Sequence, residues 1–211
     1  MRGAGNRLVW NLLAIVLGGA VLAATVLLTR ALASDVGDLL TRNTVRLSLA
    51  WYAAAACLML FLTPGEWTAE IGDSRWPARG WIARWCWTWG LVCFLVHLAM
   101  AFHYYHHWSH ADAFERTRRV ARFGEGIYVS YLFTIVWAAD VVYWCLRPAR
   151  YATRGAWIDR ILHGFMLFIV LNGTIVFETG GIRWAGAVGL IGLAVAWWLA
   201  RDARRARAAA A

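Results

Sequence analysis

The chain contains no lysine, because all 21 of its basic residues are arginine. Retinal and pyridoxal phosphate are held as Schiff bases on a lysine amine, so both cofactors are excluded. Charged residues make up only 16% of the sequence, whereas soluble domains carry about 25%. Nucleic-acid binding needs a basic face on a soluble fold, and here the arginines lie between apolar segments. We therefore predict no nucleic-acid partner, despite a formal net charge of +9.

Several catalytic and cofactor motifs are also missing. The four cysteines form neither a CxxC nor a CxxCH motif, which argues against covalent c-type haem and thiol-rich zinc sites. The sequence has no P-loop, no GxGxxG fingerprint and no GxSxG elbow. These absences remove the common nucleotide-binding and hydrolase signatures, and leave the question of enzymatic activity open.

Long apolar runs are what the sequence has in abundance. Hydrophobic residues make up 61% of the chain, and the mean hydropathy is +0.52. A transmembrane helix needs about 20 predominantly apolar residues. We predict an all-α, polytopic integral membrane bundle with the lipid bilayer as its partner, formed by one domain (residues 1–200) and followed by a short Arg/Ala-rich tail (201–211). The six predicted transmembrane helices are residues 8–28, 45–62, 82–105, 127–146, 158–177 and 182–200.

The distribution of arginine predicts the orientation of this bundle. More arginines flank the segments on the side of the N-terminus than on the opposite side, and positive residues favour the cytoplasm. We predict that both termini are cytoplasmic and that the protein lies in a bacterial inner membrane. An alternative is that residues 1–33 form a cleaved signal peptide, since Ala-Leu-Ala at 31–33 resembles a cleavage site. The apolar core of 21 residues exceeds the usual 7–15 of such peptides, which favours a membrane helix.

The third apolar run ends in a cluster of four of the six histidines: His103, His106, His107 and His110. If the third helix continued past them, all four would lie within a 100° arc. The pairs separated by four residues have the spacing at which two imidazoles chelate one metal ion. The sequence therefore predicts one histidine-rich helix face near the outer membrane surface.

Two carboxylates are expected at the same level as this cluster. Glu125 opens the fourth predicted helix and Glu178 follows the fifth. Imidazoles and carboxylates together suit one transition-metal ion, namely Zn²⁺, Fe²⁺, Mn²⁺ or Cu²⁺. The alternative interpretation is an interfacial belt of aromatic and histidine side chains, with no metal.

Two more specific interpretations of the histidines are not adopted. His-Tyr-Tyr-His-His resembles, over five residues, the HxxHH box of membrane di-iron desaturases and hydroxylases. Those families use several such boxes, and this chain has one cluster, so we do not assign it to them. The 13-residue separation of His97 and His110 resembles that of haem ligands in b-type cytochromes. His163 is the only other histidine and lies at a different depth, so we expect no two-haem bundle; a single haem through His97 stays a minor alternative.

Two ionisable residues fall inside predicted membrane segments, where they are costly and by default suggest function. Asp140 and His163 lie at similar distances from the same membrane surface, on helices joined by a short loop. They are predicted to form either a proton relay or a polar staple between the helices. The leading hypothesis is a metal-binding membrane protein with a redox, hydrolytic or metal-handling role. The alternatives are a non-catalytic subunit or scaffold that assembles with other membrane subunits, and a small proton-coupled transporter using Asp140 and His163.

Overall fold

The chain folds into eight α-helices within residues 2–69, 77–176 and 180–209, which are the residues that the computed structural model describes; of residues 2–5 and 207–209 it describes the backbone alone. Six of the helices are long and apolar enough to cross a membrane. The helices are α1 (Arg2–Leu32), α2 (Val36–Phe61), α3 (Arg79–Tyr104), α4 (His110–Ala121), α5 (Gly126–Leu146), α6 (Pro148–Ala152), α7 (Ala156–Leu171) and α8 (Gly180–Ala209), with a 3₁₀ helix at Pro64–Thr68 and a π-helical turn at Asn172–Val176.

The all-helical, multi-pass prediction is confirmed, and each predicted segment coincides with one of the six long helices. Two boundaries differ by nine residues, the start of α2 and the end of α8. The second helix begins nine residues earlier than predicted, because the Asp35 side chain caps it by accepting from the Asp38 N–H at 3.0 Å. At the other end of the chain, α8 continues through Ala209, so residues 201–209 of the predicted tail are helical. Its alanines and arginines are strong helix formers, which explains the extension.

The prediction that the third helix continues past the histidine cluster is wrong. α3 ends at Tyr104, and α4 begins at His110 with Ser109 as its cap. The backbone between them turns through two consecutive left-handed residues, His107 (φ 47°) and Trp108 (φ 61°). The four histidines therefore do not share one helix face. The Ser109 hydroxyl accepts from the Asp112 N–H at 3.1 Å, which starts a new helix in place of continuing the old one.

Alternation of the long helices defines two faces of the bundle. We call the face at which α1, α3 and α7 begin the N-terminal face, and the face at which α2, α5 and α8 begin the opposite face. The Arg204 guanidinium, near the end of α8, donates to the Leu60 carbonyl near the end of α2 at 2.8 Å. On the opposite face, the Asn43 amide of α2 donates to the Thr29 hydroxyl of α1 at 3.0 Å.

The densest packing is an aromatic cluster shared by α2, α3 and α5. The rings of Tyr52, Trp87 and Trp137 lie 5.1–5.9 Å apart, and all three side chains are buried. Gly90 allows this approach, because a Cβ there would lie 2.8 Å from the Trp137 ring. The buried Ser48 hydroxyl donates to the Gly90 carbonyl at 2.8 Å. Aromatic packing and one interhelical hydrogen bond thus join the three helices.

The helices α1 and α8 lie at the edge of the bundle. α1 is attached through α3, where the Trp81 and Trp89 indoles donate to the Asn11 side chain and the Ala14 carbonyl at 3.0 Å. α8 approaches the rest of the bundle closely near Gly186, where a Cβ would lie 2.8 Å from the Thr174 side chain, and Arg204 joins it to α2. Large apolar side chains on both helices are exposed, which is consistent with contact to lipid acyl chains.

The N-terminal face is closed by the 3₁₀ helix. The Arg79 guanidinium donates to both carboxylate oxygens of Glu66, at 2.8 and 2.9 Å, and this pairing lowers the pKa of Glu66 to about 2. Gly80 is required beneath it, since a Cβ would lie 1.7 Å from the Glu66 carbonyl oxygen. The Trp144 indole donates to the Trp67 carbonyl at 3.0 Å. The 3₁₀ helix is therefore fixed to both α3 and α5.

Candidate functional site: two cavities and a buried ion network

The histidine run is spread over a helix end, a turn and a new helix. His103, His107 and His110 are exposed, whereas His106 is buried. The His103 ring contacts the neighbouring Tyr104 ring, with centroids 4.7 Å apart. His110 turns towards α5, where its Nδ1 lies 2.9 Å from the Tyr131 hydroxyl oxygen. The cluster predicted as one face is thus divided among different surroundings.

His106 has the most unusual environment of the four. Its ring packs against Phe102 and Tyr105, with centroids 5.4 and 6.4 Å away. Its Nδ1 is buried without a hydrogen-bond partner among the described residues. Burial lowers the pKa of His106, and the nearby Arg116 charge lowers it further. The neutral ring is therefore the form that fits this turn.

The two carboxylates predicted as further metal ligands, Glu125 and Glu178, are not seen to form a metal-binding group with the histidines among the described residues. Glu125 is exposed and precedes α5 without a side-chain cap bond, and Glu178 lies outside the described residues. In the described part of the chain, no group of three or more His, Cys, Asp or Glu side chains is arranged to hold a metal ion. A metal site using His103, His106, His107, His110, Glu125 and Glu178 stays a prediction.

A buried ion network lies near the N-terminal face. The Asp140 carboxylate, 1% exposed, accepts from the Trp87 indole at 2.9 Å, the Tyr151 hydroxyl at 3.0 Å and the Arg154 guanidinium at 2.5 Å. Arg154 also pairs with Asp159, and its guanidinium lies over the Tyr151 ring at 3.8 Å. A buried charge is tolerated when it is paired and hydrogen-bonded, and both conditions are met here.

Tyr151 acts as a permanent donor in this network. Burial raises the pKa of its hydroxyl above the ordinary 10, and the Asp140 charge raises it further. The ring stacks on Trp144 with centroids 4.6 Å apart and parallel planes. Tyr151 thus stays protonated, and connects the short helix α6 to α5.

His163 lies beside this network without joining its hydrogen bonds. Asp140 and His163 do not hydrogen-bond to each other; Trp87 contacts both, with its ring centroid 5.8 Å from that of His163. No described residue hydrogen-bonds to either ring nitrogen of His163. The Trp87 indole therefore connects Asp140 to His163, and the direct ionic partner of Asp140 is Arg154.

His163 lines a cavity of about 670 Å³ between α2, α7 and α8, which we call cavity 1. Most of its wall is apolar and comes from the halves of these helices nearer the N-terminal face. The side chains with polar atoms in its lining are those of Tyr52, Trp67, Asp159, His163, Trp197 and Arg204. A concave, mostly apolar site with a few polar groups is typical of small-molecule binding.

A second cavity, of about 290 Å³, lies in the opposite half of the bundle between α2, α3, α5 and α7; we call it cavity 2. His97 lines it, and its Nδ1 lies 2.8 Å from the Thr41 carbonyl oxygen. Because a carbonyl oxygen only accepts, Nδ1 carries the hydrogen, and Nε2 of the neutral ring keeps a lone pair. The basic side chains Arg42 and Arg46 also line this cavity.

Of the residues that the structure describes, Tyr52 alone lines both cavities. It lies near the middle of α2, 5% exposed, and its ring is held by Trp87 and Trp137. Cavity 1 uses α2 residues on one side of Tyr52 along the helix, and cavity 2 uses those on the other side. A single aromatic side chain therefore stands between two half-cavities, each containing one imidazole.

The π-helical turn at Asn172–Val176 widens α7 beside cavity 2. Gly173 and Thr174 of this turn are part of the cavity wall. The Asn172 amide and the Thr174 hydroxyl each donate at 2.7 Å to a backbone carbonyl four residues earlier. Side-chain donors of this kind satisfy carbonyls where a helix departs from regular bonding, and π turns are frequent at functional sites.

The sequence interpretation missed Arg154, Tyr151 and Tyr52. Arg154 sits in a short loop and counts as a topology signal, yet it is buried as the partner of Asp140. An unpaired intramembrane aspartate followed 14 residues later by a loop arginine was the available signal. Tyr52 gave none, since tyrosines are common in membrane helices.

No protein-family model, no curated protein and no solved structure matches this chain.

Proposed function

We propose that the protein is a small proton-coupled transporter of a bacterial inner membrane, with both termini in the cytoplasm and Tyr52 as the barrier between two half-pathways. The observation that carries this proposal is that cavities 1 and 2 occupy opposite halves of the bundle and share Tyr52 alone. Alternating access requires a site reachable from either side with a barrier between, as in larger transporters.

The two imidazoles support the coupling to protons. His163 in cavity 1 and His97 in cavity 2 belong to the side-chain type that titrates nearest neutral pH. Each has a ring nitrogen left unoccupied by hydrogen bonds to the described residues, so each is able to take up a proton. Ionisable residues inside a membrane are by default functional, because burying them is expensive.

The Asp140 network supplies a fixed support in this proposal. Its carboxylate accepts three hydrogen bonds and is closed to solvent by Trp87. The role assigned to Asp140 is therefore to hold Trp87, which in turn positions both Tyr52 and His163. Two roles were predicted for Asp140 and His163, a polar staple and a proton relay. In this proposal Asp140 is the polar staple between helices, and His163 carries the proton.

Cysteine labelling tests the two-sided access directly. In a variant with the four native cysteines replaced by serine, Ala194→Cys places a thiol in cavity 1 and Leu49→Cys places one in cavity 2. We expect a membrane-impermeant thiol reagent to label Ala194→Cys from the cytoplasmic side and Leu49→Cys from the outer side. Ile135→Cys, on an exposed apolar surface of α5, is the lipid-facing control and should stay unlabelled. Labelling of both cavity positions from one side contradicts the proposal.

Proton flux in liposomes tests the barrier. Tyr52→Ala removes the side chain between the cavities, and we expect a proton leak that the wild-type protein lacks. Tyr52→Phe keeps the ring, so it should stay sealed; Tyr143→Ala, at a partly exposed site on α5, is the matched control. A Tyr52→Ala protein that folds and leaks no more than Tyr143→Ala would overturn the assignment of Tyr52.

A metal ion at the histidine run is the second proposal, favoured by the unpartnered Nδ1 of His106. Elemental analysis of the detergent-purified protein tests it. A stoichiometric transition metal that is lost in His103→Ala/His107→Ala supports the site. Sub-stoichiometric metal in both proteins removes it.

A further inference from the structure

We infer that the transported substrate is an aromatic monocarboxylate, which crosses the Tyr52 barrier as the neutral acid. This inference rests on the proposed function and names the substrate class for the same two cavities. It is carried by the charge at the two mouths, the aromatic walls and the position of the imidazoles.

The charge at each mouth fits an anion. Arg46 lines cavity 2, and its guanidinium donates at 2.8 Å to the neutral Asn43 side chain. Arg204 lines cavity 1, and its guanidinium donates to the Leu60 carbonyl. Neither arginine has a carboxylate partner among the described residues. The one carboxylate in either lining is Asp159, whose charge is opposed by Arg154. Guanidinium groups bind carboxylates through charge-assisted, bidentate hydrogen bonds.

The walls between these mouths fit a flat apolar body. Cavity 2 is lined by the aromatic rings of Tyr52, Phe94, Phe133 and Trp137, and cavity 1 by those of Tyr52, Trp67 and Trp197. Aromatic pairs attract beyond the burial of their area, through offset and edge-to-face contacts. A benzoate-like molecule satisfies both requirements, whereas a small hydrophilic anion such as acetate satisfies the charge alone.

The two imidazoles allow the carboxylate to pass Tyr52 without its charge, because one protonates it and the other removes the proton. In the inward direction, protonated His97 gives the proton on its Nε2 to the bound carboxylate, so one N–H bond breaks and one O–H bond forms. The neutral acid then passes the aromatic barrier. His163 accepts the proton on a free ring nitrogen, and the carboxylate that is restored meets Arg204. One proton and one anion cross together, and no net charge traverses the apolar centre.

Binding to the detergent-purified full chain tests the substrate class. The probes are benzoate, the neutral isostere benzyl alcohol, the cation benzylamine, and acetate, with binding measured by calorimetry. We expect benzoate to bind and the other three to bind at least about tenfold more weakly, which corresponds to a loss of about 1.4 kcal/mol. Arg46→Gln and Arg204→Gln should each weaken benzoate binding. Arg118→Gln, which removes an exposed arginine paired with Glu115 outside both cavities, is the matched control and should bind as wild type.

The outcomes separate this inference from the proposed function. If the cavity thiols are labelled from opposite sides but benzoate fails to bind, the transporter stands and the substrate class falls. If benzoate binds and both arginine variants weaken it while the labelling comes from one side, the anion site stands and transport falls. Equal binding of benzoate and benzylamine, or unchanged binding in both Arg46→Gln and Arg204→Gln, overturns the inference. Circular dichroism of each variant confirms that a loss of binding is not a loss of fold.

Discussion

Two polar regions at opposite faces of the bundle are built in contrasting ways. Near the N-terminal face, the Asp140 carboxylate accepts three hydrogen bonds. At the opposite face, the turn after α3 holds a buried His106 Nδ1 with no partner among the described residues, followed by two left-handed residues. A buried polar group that is fully satisfied stabilises a unique arrangement, whereas one left unpaired costs free energy. Substitutions in the first region should therefore lower the free energy of unfolding strongly, whereas substitutions in the second should cost little or stabilise the protein.

The largest effect is expected from Asp140→Ala. Removing one partner of a buried ion pair costs about 3–5 kcal/mol in the free energy of unfolding, and the partly exposed Asp159 compensates the Arg154 charge only in part. Asp140→Leu/Arg154→Met, which removes both charges, should be less destabilising than the single variant. Thermal unfolding in a mild detergent, followed by tryptophan fluorescence, measures both. A double variant less stable than Asp140→Ala would show that the pair itself is strongly stabilising.

The indole of Trp87 should account for part of that loss. Trp87→Phe keeps an aromatic ring in the core but removes the N–H that donates to Asp140. Hydrogen bonds to charged groups contribute about 1.5–3 kcal/mol. The same unfolding assay applies, with Trp198→Phe, on an exposed part of α8, as the matched control near zero.

Acid should weaken the N-terminal face progressively below about pH 4.5. The pKa of Glu66 is held near 2 by the Arg79 guanidinium, below its ordinary 4.5. A depressed carboxyl pKa contributes stability that is present above pH 4.5 and is lost as the pH falls towards 2. Unfolding between pH 6 and pH 2 should show a larger loss in the wild type than in Glu66→Gln. A wild-type profile that matches Glu66→Gln would mean that the pair contributes nothing.

The histidine turn should respond in a different pH window. Burial and the Arg116 charge lower the pKa of His106 below its ordinary 6.5. The turn is therefore fully stable above pH 6.5 and loses stability as the pH falls through the lowered pKa. The titratable and charged groups around it are Asp112, Arg116 and His107. The protection of the turn amides against hydrogen exchange, measured relative to the intrinsic exchange rate at each pH, should fall between pH 7.5 and pH 5. His106→Phe should flatten that fall in protection, and persistence of the full fall in this variant would contradict its assignment to His106.

The smallest effect concerns backbone strain in the same turn. His107 is exposed and left-handed, a conformation that costs an L-residue about 1–2 kcal/mol and glycine almost nothing. His107→Gly should stabilise the turn by up to about 1 kcal/mol, since the flexibility of glycine in the unfolded chain offsets part of the gain. Ala111→Gly, inside α4, should destabilise by a similar amount.

Features that depend on composition and length were predictable from the sequence. Six apolar runs gave six long helices, because the bilayer leaves an unpaired backbone no other partner. The break between Tyr104 and His110 was not predictable from the sequence. Alanines and the Glu115/Arg119 pair favour a continuous helix there, while the Ser109 cap favours a new one. Local propensities of similar size competed there, and contacts with α5 decided between them. Arg154 escaped prediction because its burial depends on three helices meeting at Asp140.

The attachment of α8 has a consequence for how this protein adapts. α8 is fixed at Gly186 against Thr174 and at Arg204 against Leu60, and the stretch between them forms one wall of cavity 1. Between Leu190 and Trp197 the helix faces cavity 1, so we expect it to bend there more easily than at its packed positions. The volume of the larger cavity can therefore adjust without disturbing the aromatic core. Substitutions between Leu190 and Trp197 should therefore allow cavity 1 to bind larger ligands while the bundle keeps its stability.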